Sequence, residues 1–178
     1  MADPAALRRP PRILESAMVR ALPPIERYIL RGDQAVLNAA ALALALNDPP
    51  GTCRAAVGGE HAWLWLGPDE RLVLAAVEAA TPVPALLQQA LQGLAHALVD
   101  VGHRQVALEL AGPGAATVLA TGCPLDLRQD EFPIGMCTRT VLAKAEIVLW
   151  RTAQQNFHIE VARSFAEYLS LFLAESQS

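Results

Sequence analysis

RYILRGDQAVLNAA, residues 27–40, and VALELAGPGAATVLA, residues 106–120, read alike. Each begins with a short run suited to a half-buried strand, breaks at glycine, and continues with apolar residues at helical spacing. In the first, Gly32 ends the strand and Asp33 can accept the free amides of a helix expected to run through Leu46. In the second, Gly112-Pro113-Gly114 leads into a helix through AATVLAT, Pro113 suiting a first turn.

Outward from these segments the likeness continues. WLWLGPDERLVLA, residues 63–75, resembles VLWRTAQQNFHIEVA, residues 148–162, and both read as hairpins. Gly32 and Gly112 set a period of about 80 residues, too long for a solenoid and suited to a duplicated α+β half. The expected fold is therefore α+β, built from two strand-helix-hairpin halves. Residues 1–22 read as a flexible arm, and residues 23–178 as one domain whose halves cover about 23–100 and 101–178.

Other elements fill the pattern. CRAAV at 53–57 and HALVDV at 96–101 read as short strands. TPVPALLQQALQGLA sets Leu86, Leu87, Ala90, Leu91 and Leu94 on one helical face. TRTVLAKAEIVLWRT and NFHIEVAR read as a long hairpin turning at residues 153–155. In the terminal helix, Ser164 and Glu167 have capping-box spacing, and Phe165, Leu169, Phe172 and Leu173 form the inward stripe.

Composition narrows the function. Of 178 residues 53% are hydrophobic and 18% charged, which points to a large core or to apolar surface kept for a partner. The net charge of −4 and the absence of a long basic block argue against a nucleic-acid partner. The richest apolar run, residues 35–46, is about half a bilayer crossing and reads as a buried helix, so no membrane partner is expected. RRPPR at residues 8–12 reads as a solvated arm. No apolar export segment follows it, so a cytoplasmic location is expected.

Reactive constellations are scarce. Cys53, Cys123 and Cys137 are odd in number without a CxxC pair, so reduced thiols are expected, and the four scattered histidines suggest no metal site. Cys123 or Cys137 as a nucleophile would need a base such as His103, and nothing local supports the pairing. The GPG at 112–114 lacks the Lys of a phosphate loop. Asp126, Asp130 and Glu131 with Arg128 and Arg139 form the densest charge cluster, best read as a solvated loop. Trp63 and Trp65 share one strand face and read as packing residues, with stacking on a pterin as the rarer use.

CPLDL at 123–127, FPIGMCTRT at 132–140 and FHIEVARSFAEYL at 157–169, extended by AWLWLGPDERLVL at 62–74, resemble the gamma subunit family of heterotetrameric sarcosine oxidase. The resemblance implies a fold like the folate-binding domain of the glycine-cleavage T-protein. It implies membership of a complex that oxidatively demethylates sarcosine to glycine, yielding hydrogen peroxide and formaldehyde or methylene-tetrahydrofolate. FAD, FMN, NAD and tetrahydrofolate would sit on partner alpha, beta and delta subunits, and no catalytic, cofactor or metal residue would lie in this chain. Its task would be assembly and stability. The segment 123–139 and the arm before Leu22 would meet the large subunit, with Leu125 and Phe132 as apolar anchors and Asp126 and Arg139 as polar contacts. The equivalent subunit of N-methylglutamate dehydrogenase is one alternative. Another is a free-standing folate-binding or methyl-carrier protein, in which Glu109, Asp126 or Glu160 would hold the pterin.

Overall fold

The computed structural model describes residues 17–46, 51–77 and 82–177. Strand β1 (Met18–Ala21) and β2 (Glu26–Gly32) precede helix α1 (Gln34–Ala43), followed by β3 (Ala55–Gly58), β4 (His61–Gly67), β5 (Glu70–Ala75) and helix α2 (Val83–Ala90). The same order then returns: β6 (His96–Asp100), β7 (Gln105–Ala111), α3 (Ala115–Leu119), β8 (Cys137–Leu142), β9 (Ala145–Ala153), β10 (Asn156–Ala162) and α4 (Ala166–Glu175).

The strands form two five-stranded antiparallel sheets, ordered β3-β4-β5-β2-β6 and β8-β9-β10-β7-β1. Position by position these orders correspond, with one exchange. β1 runs directly into β2 of the first sheet yet pairs with β7 in the second, and β6 runs into β7 yet pairs with β2. Each sheet is thus closed at one edge by the strand that introduces the other. At the opposite edges, Arg54 bridges Met136, and Cys137 N donates to Cys53 O at 2.9 Å.

Alternation along each strand splits the side chains into three cores. Leu30, Trp63 and Val73 pack outward under α1 and α2 with Val36, Leu37, Leu87 and Leu91. Leu110, Leu149, Phe157 and Ile159 pack under α3 and α4 with Val118, Leu119, Leu169 and Leu173. Leu64, Leu66, Leu72, Leu74, Val101, Cys137 and Val148 fill the space between the sheets. The result is a helix-sheet-sheet-helix sandwich.

Several local expectations meet their physical reasons here. Asp33 caps α1, its Oδ1 accepting from Val36 N at 3.0 Å, but the helix ends at Ala43 rather than Leu46 because Ala45 takes a left-handed backbone (φ 54°). The expected flexible arm over residues 1–22 is contradicted in its last part: Met18–Ala21 are strand β1, its amides and carbonyls satisfied along β7. Residues 1–16 lie outside the described ones.

The long strand read from TRTVLAKAEIVLWRT is two strands, β8 and β9. They turn through Ala143 (φ 52°) and Lys144, a left-handed turn without the glycine or asparagine that would announce it. Ser164 and Glu167 do not form a capping box. A 3-10 turn, Arg163–Phe165, leads into α4 instead, which buries Leu169 and Leu173 while leaving Phe165 40% exposed.

A buried charged pair crosses between the sheets. Arg27 of β2 donates through Nε to Glu160 of β10 at 2.6 Å, and both side chains are buried; His158 Nε2 lies 2.7 Å from the other Glu160 oxygen. Removing one partner of such a pair strands a buried charge, a loss of about 3–5 kcal/mol, whereas replacing both with apolar groups is close to neutral. Arg27→Met alone should therefore lower stability by about that amount, and Arg27→Met with Glu160→Met should recover most of it. Urea unfolding followed by circular dichroism measures both. Equal loss in the single and double variants would show that the pair is not what the two sheets share.

Candidate functional site

The segment between α3 and β8, residues 122–136, carries the densest charge and two of the resemblance motifs. It is wound around one buried cation. Arg151 of β9, 4% exposed, donates to the backbone carbonyls of Leu127 (3.2 Å), Phe132 (2.7 Å) and Gln154 (2.9 Å), and its guanidinium lies 4.8 Å over the Phe157 ring. Burial pulls the Arg151 pKa below its ordinary value, but three carbonyls and an aromatic face hold the charge in place.

That winding decides which of the expected contact residues are available. Phe132 is not a surface anchor: it is 1% exposed and packs into the chain's own core, 6.5 Å from the Phe157 ring. The expectation of an exposed apolar contact at Phe132 is corrected by this burial, because an aromatic ring beside a sheet is drawn inward by its large apolar area. Leu125 is partly buried against the same core. Asp126 and Arg139 do reach the surface. Asp126 accepts from Arg128 at 2.7 Å, and that bond holds its carboxyl below the usual range; Arg139 pairs with Glu70 of β5 at 2.6 Å. Arg151 itself escaped the sequence reading, since nothing in WRT shows which way a strand arginine points.

No reactive pairing emerges among the described residues. Cys123 Sγ faces Thr140 Oγ1 at 4.0 Å and Cys137 Sγ faces Trp65 O at 3.8 Å, so the His103 partner considered from sequence is not beside either sulfur. Burial pushes the Cys137 thiol up to about 12, the reverse of an activated nucleophile. Among the described residues no cluster of three His, Cys, Asp or Glu could hold a metal. The three carboxylates weighed for a pterin each have a cation already: Glu109 pairs with Arg20, Asp126 with Arg128 and Glu160 with Arg27. Trp63 is fully buried under α1 and α2, with Arg71 5.6 Å over its ring.

A two-sheet sandwich with exchanged edge strands and a tightly wound loop defines an α+β fold of the aminomethyltransferase kind. It superposes on the glycine cleavage system aminomethyltransferase T of Bartonella henselae with a TM-score of 0.65 at 19% identity, covering 90% of this chain and 46% of that one. The profile of the sarcosine oxidase, gamma subunit family matches residues 31–178, and the chain belongs to that family. The sarcosine oxidase subunit gamma of Corynebacterium sp. (strain U-96) is 38% identical over 143 residues, which make up 79% of this chain and 67% of the relative. A chain of the heterotetrameric sarcosine oxidase from Corynebacterium sp. U-96 superposes with a TM-score of 0.84 at 30% identity, over 92% of this chain and 85% of its own length.

Three outcomes test this geometry. Phe132→Ala should destabilise the fold by about 3–5 kcal/mol, as for a buried aromatic, whereas a surface residue would lose well under 1 kcal/mol. Alkaline pH should act through burial. The Cys137 thiol sits at about 12 against an ordinary 9.0, so its contribution is intact below about pH 9 and is lost as pH rises through about 12. Tyr28, raised to about 12 from 10.0 chiefly by burial, adds to the same loss. At about pH 8.5 iodoacetamide should modify half-buried Cys53 first and leave Cys137 protonated and intact until unfolding. Mass spectrometry of tryptic peptides reads the order, and equal rates at the two sites would contradict it.

Proposed function

We propose that this chain is the gamma-type subunit of a heterotetrameric complex that oxidatively demethylates sarcosine to glycine, and that its contribution is assembly and stability. The observation that carries the reading is the 0.84 superposition, over 92% of this chain, on a chain of a heterotetrameric sarcosine oxidase. The internal chemistry is consistent with it: Cys123 and Cys137 are buried and the carboxylates Glu109, Asp126 and Glu160 are each paired with an arginine, which suits a scaffold better than a reaction centre. Alpha, beta and delta subunits would carry FAD, FMN, NAD and tetrahydrofolate, and the products would be hydrogen peroxide with formaldehyde or methylene-tetrahydrofolate. The complex would work in the cytoplasm.

Leu125, Asp126 and Arg139 stand as the contact residues for the large subunit. The Asp126–Arg128 pair is exposed on both sides and adds little to a fold, about 0–1 kcal/mol, so reversing Asp126 tests contact rather than stability; Arg139 meets a Glu70 side chain only 13% exposed, so its variant is checked for its fold as well. Co-expression of the tagged chain with its flavoprotein partners should yield a complex with a flavin absorption spectrum. Asp126→Arg with Arg139→Glu should reduce co-purified flavin at least about tenfold while the circular dichroism spectrum stays that of the parent. Undiminished capture would remove these residues from the interface, and a chain that elutes alone without flavin would remove the assembly role.

A further inference from the structure

The matching strand orders make the two inner sheet faces comparable residue by residue. Across one sheet the rung Ala55–Leu64–Leu72–Ile29–Val99 corresponds to Cys137–Trp150–His158–Glu109–Arg20 across the other, each set being cross-strand partners. The next rung pairs Val57–Ala62–Leu74–Arg27 with Arg139–Val148–Glu160–Ala107. Beyond these rungs each sheet leaves a groove at the same end of its inner face, of about 290 Å³ in the first sheet and about 510 Å³ in the second.

The grooves are counterparts in place, each with a carboxylate at its rim, Glu60 in the smaller and Glu146 in the larger, and they differ at three inner positions. Where the smaller has Ile25, Val57 and Leu74, the larger has Gln105, Arg139 and Glu160. At those three positions a fold that needed only to close its sandwich is served by apolar side chains, as Ile25, Val57 and Leu74 show. The polar set leaves Gln105 Oε1 buried without a hydrogen bond, an arrangement that destabilises unless something donates to it.

Two of the charges are consumed internally. Arg139 is held by Glu70, and Glu160 by Arg27 and His158. The remaining groups are Arg104 and Glu146, both exposed at the groove and without a side-chain partner among the described residues. The groove therefore presents one unpaired cation, one unpaired anion and one buried acceptor. An inorganic phosphate would suit Arg104 but would face Glu146 and leave Gln105 unmet; an apolar ligand would leave all three unmet. A small molecule with a carboxylate and an amine on one short frame satisfies each.

We propose that this groove is a binding site for an α-amino acid, its carboxylate on Arg104 and its amine donating to Gln105 Oε1 and Glu146. The proposal rests on this chain's own geometry and stands apart from its place in a complex.

The full chain can be tested by equilibrium dialysis against isotope-labelled glycine and alanine, with acetate and methylamine as half-ligands. Binding of the amino acids should saturate, and each half-ligand should bind at least about tenfold more weakly, since each forfeits one charge-assisted contact. Arg104→Met and Gln105→Ile should each weaken binding by about tenfold or more. Because Ile25 is the counterpart of Gln105, Gln105→Ile should also raise the thermal midpoint. That combination of a firmer fold and lost binding is one that a purely structural glutamine would not give. Three results overturn the proposal: no saturable binding of either amino acid up to about 50 mM, acetate binding as well as glycine, or variants that bind as the parent does.

Discussion

The contact between Arg27 and Glu160 joins residues 133 apart in sequence and is a buried charged link between the two sheets, beside the apolar cluster that fills the space between them. Apolar burial is non-directional, so a layer of leucines and valines fixes the offset of two sheets only through the fit of their side chains. A guanidinium and a carboxylate, with His158 taking the second oxygen, define one offset. Arg27 sits on β2 and Glu160 on β10 at the middle of its sheet, so that offset passes through the ladders to every strand. The exchanged edge strands need it too, because β1 and β6 can close both sheets only if the sheets keep one alignment.

The pair also marks where two similar layouts part company. On the rung that holds it, Arg27 corresponds to Ala107 and Glu160 to Leu74, so each sheet contributes one partner and neither could make the bond with itself. The same asymmetry extends over the inner faces. One sheet presents alanine, leucine, isoleucine and valine inward beside Arg27; the other presents Arg20, Glu109, His158, Glu160 and Arg139 among its apolar residues. Polar side chains on the inner faces thus set the alignment of the two sheets, as Arg27 and Glu160 do.

Arg151 shows the same economy at the loop. Motif-rich sequence between α3 and β8 reads as surface, and part of it is. Yet Leu127 and Phe132 are turned inward by a buried guanidinium that accepts no substitute: it supplies donors to three carbonyls at fixed angles, and a lysine would supply one compact charge. Asp126 of the same segment stays at the surface, paired with Arg128.

From the order of residues alone came the element types, the repeating strand-helix-hairpin layout, the Asp33 cap and the family. These are local or periodic properties: alternation at two residues, apolar recurrence near four, a side chain that caps its own helix, and contiguous motifs. Short-range signals misled where the backbone took rare conformations without the usual residue, at Ala45 and Ala143, and where the arm found a strand to pair with. Tertiary structure alone decided that Phe132 lies inside, that Arg27 meets Glu160, that Arg151 gathers a loop, and that two matching grooves differ in polarity. Each depends on which distant segments a side chain faces, and a hydrophobic or charged letter carries no record of what will be packed against it.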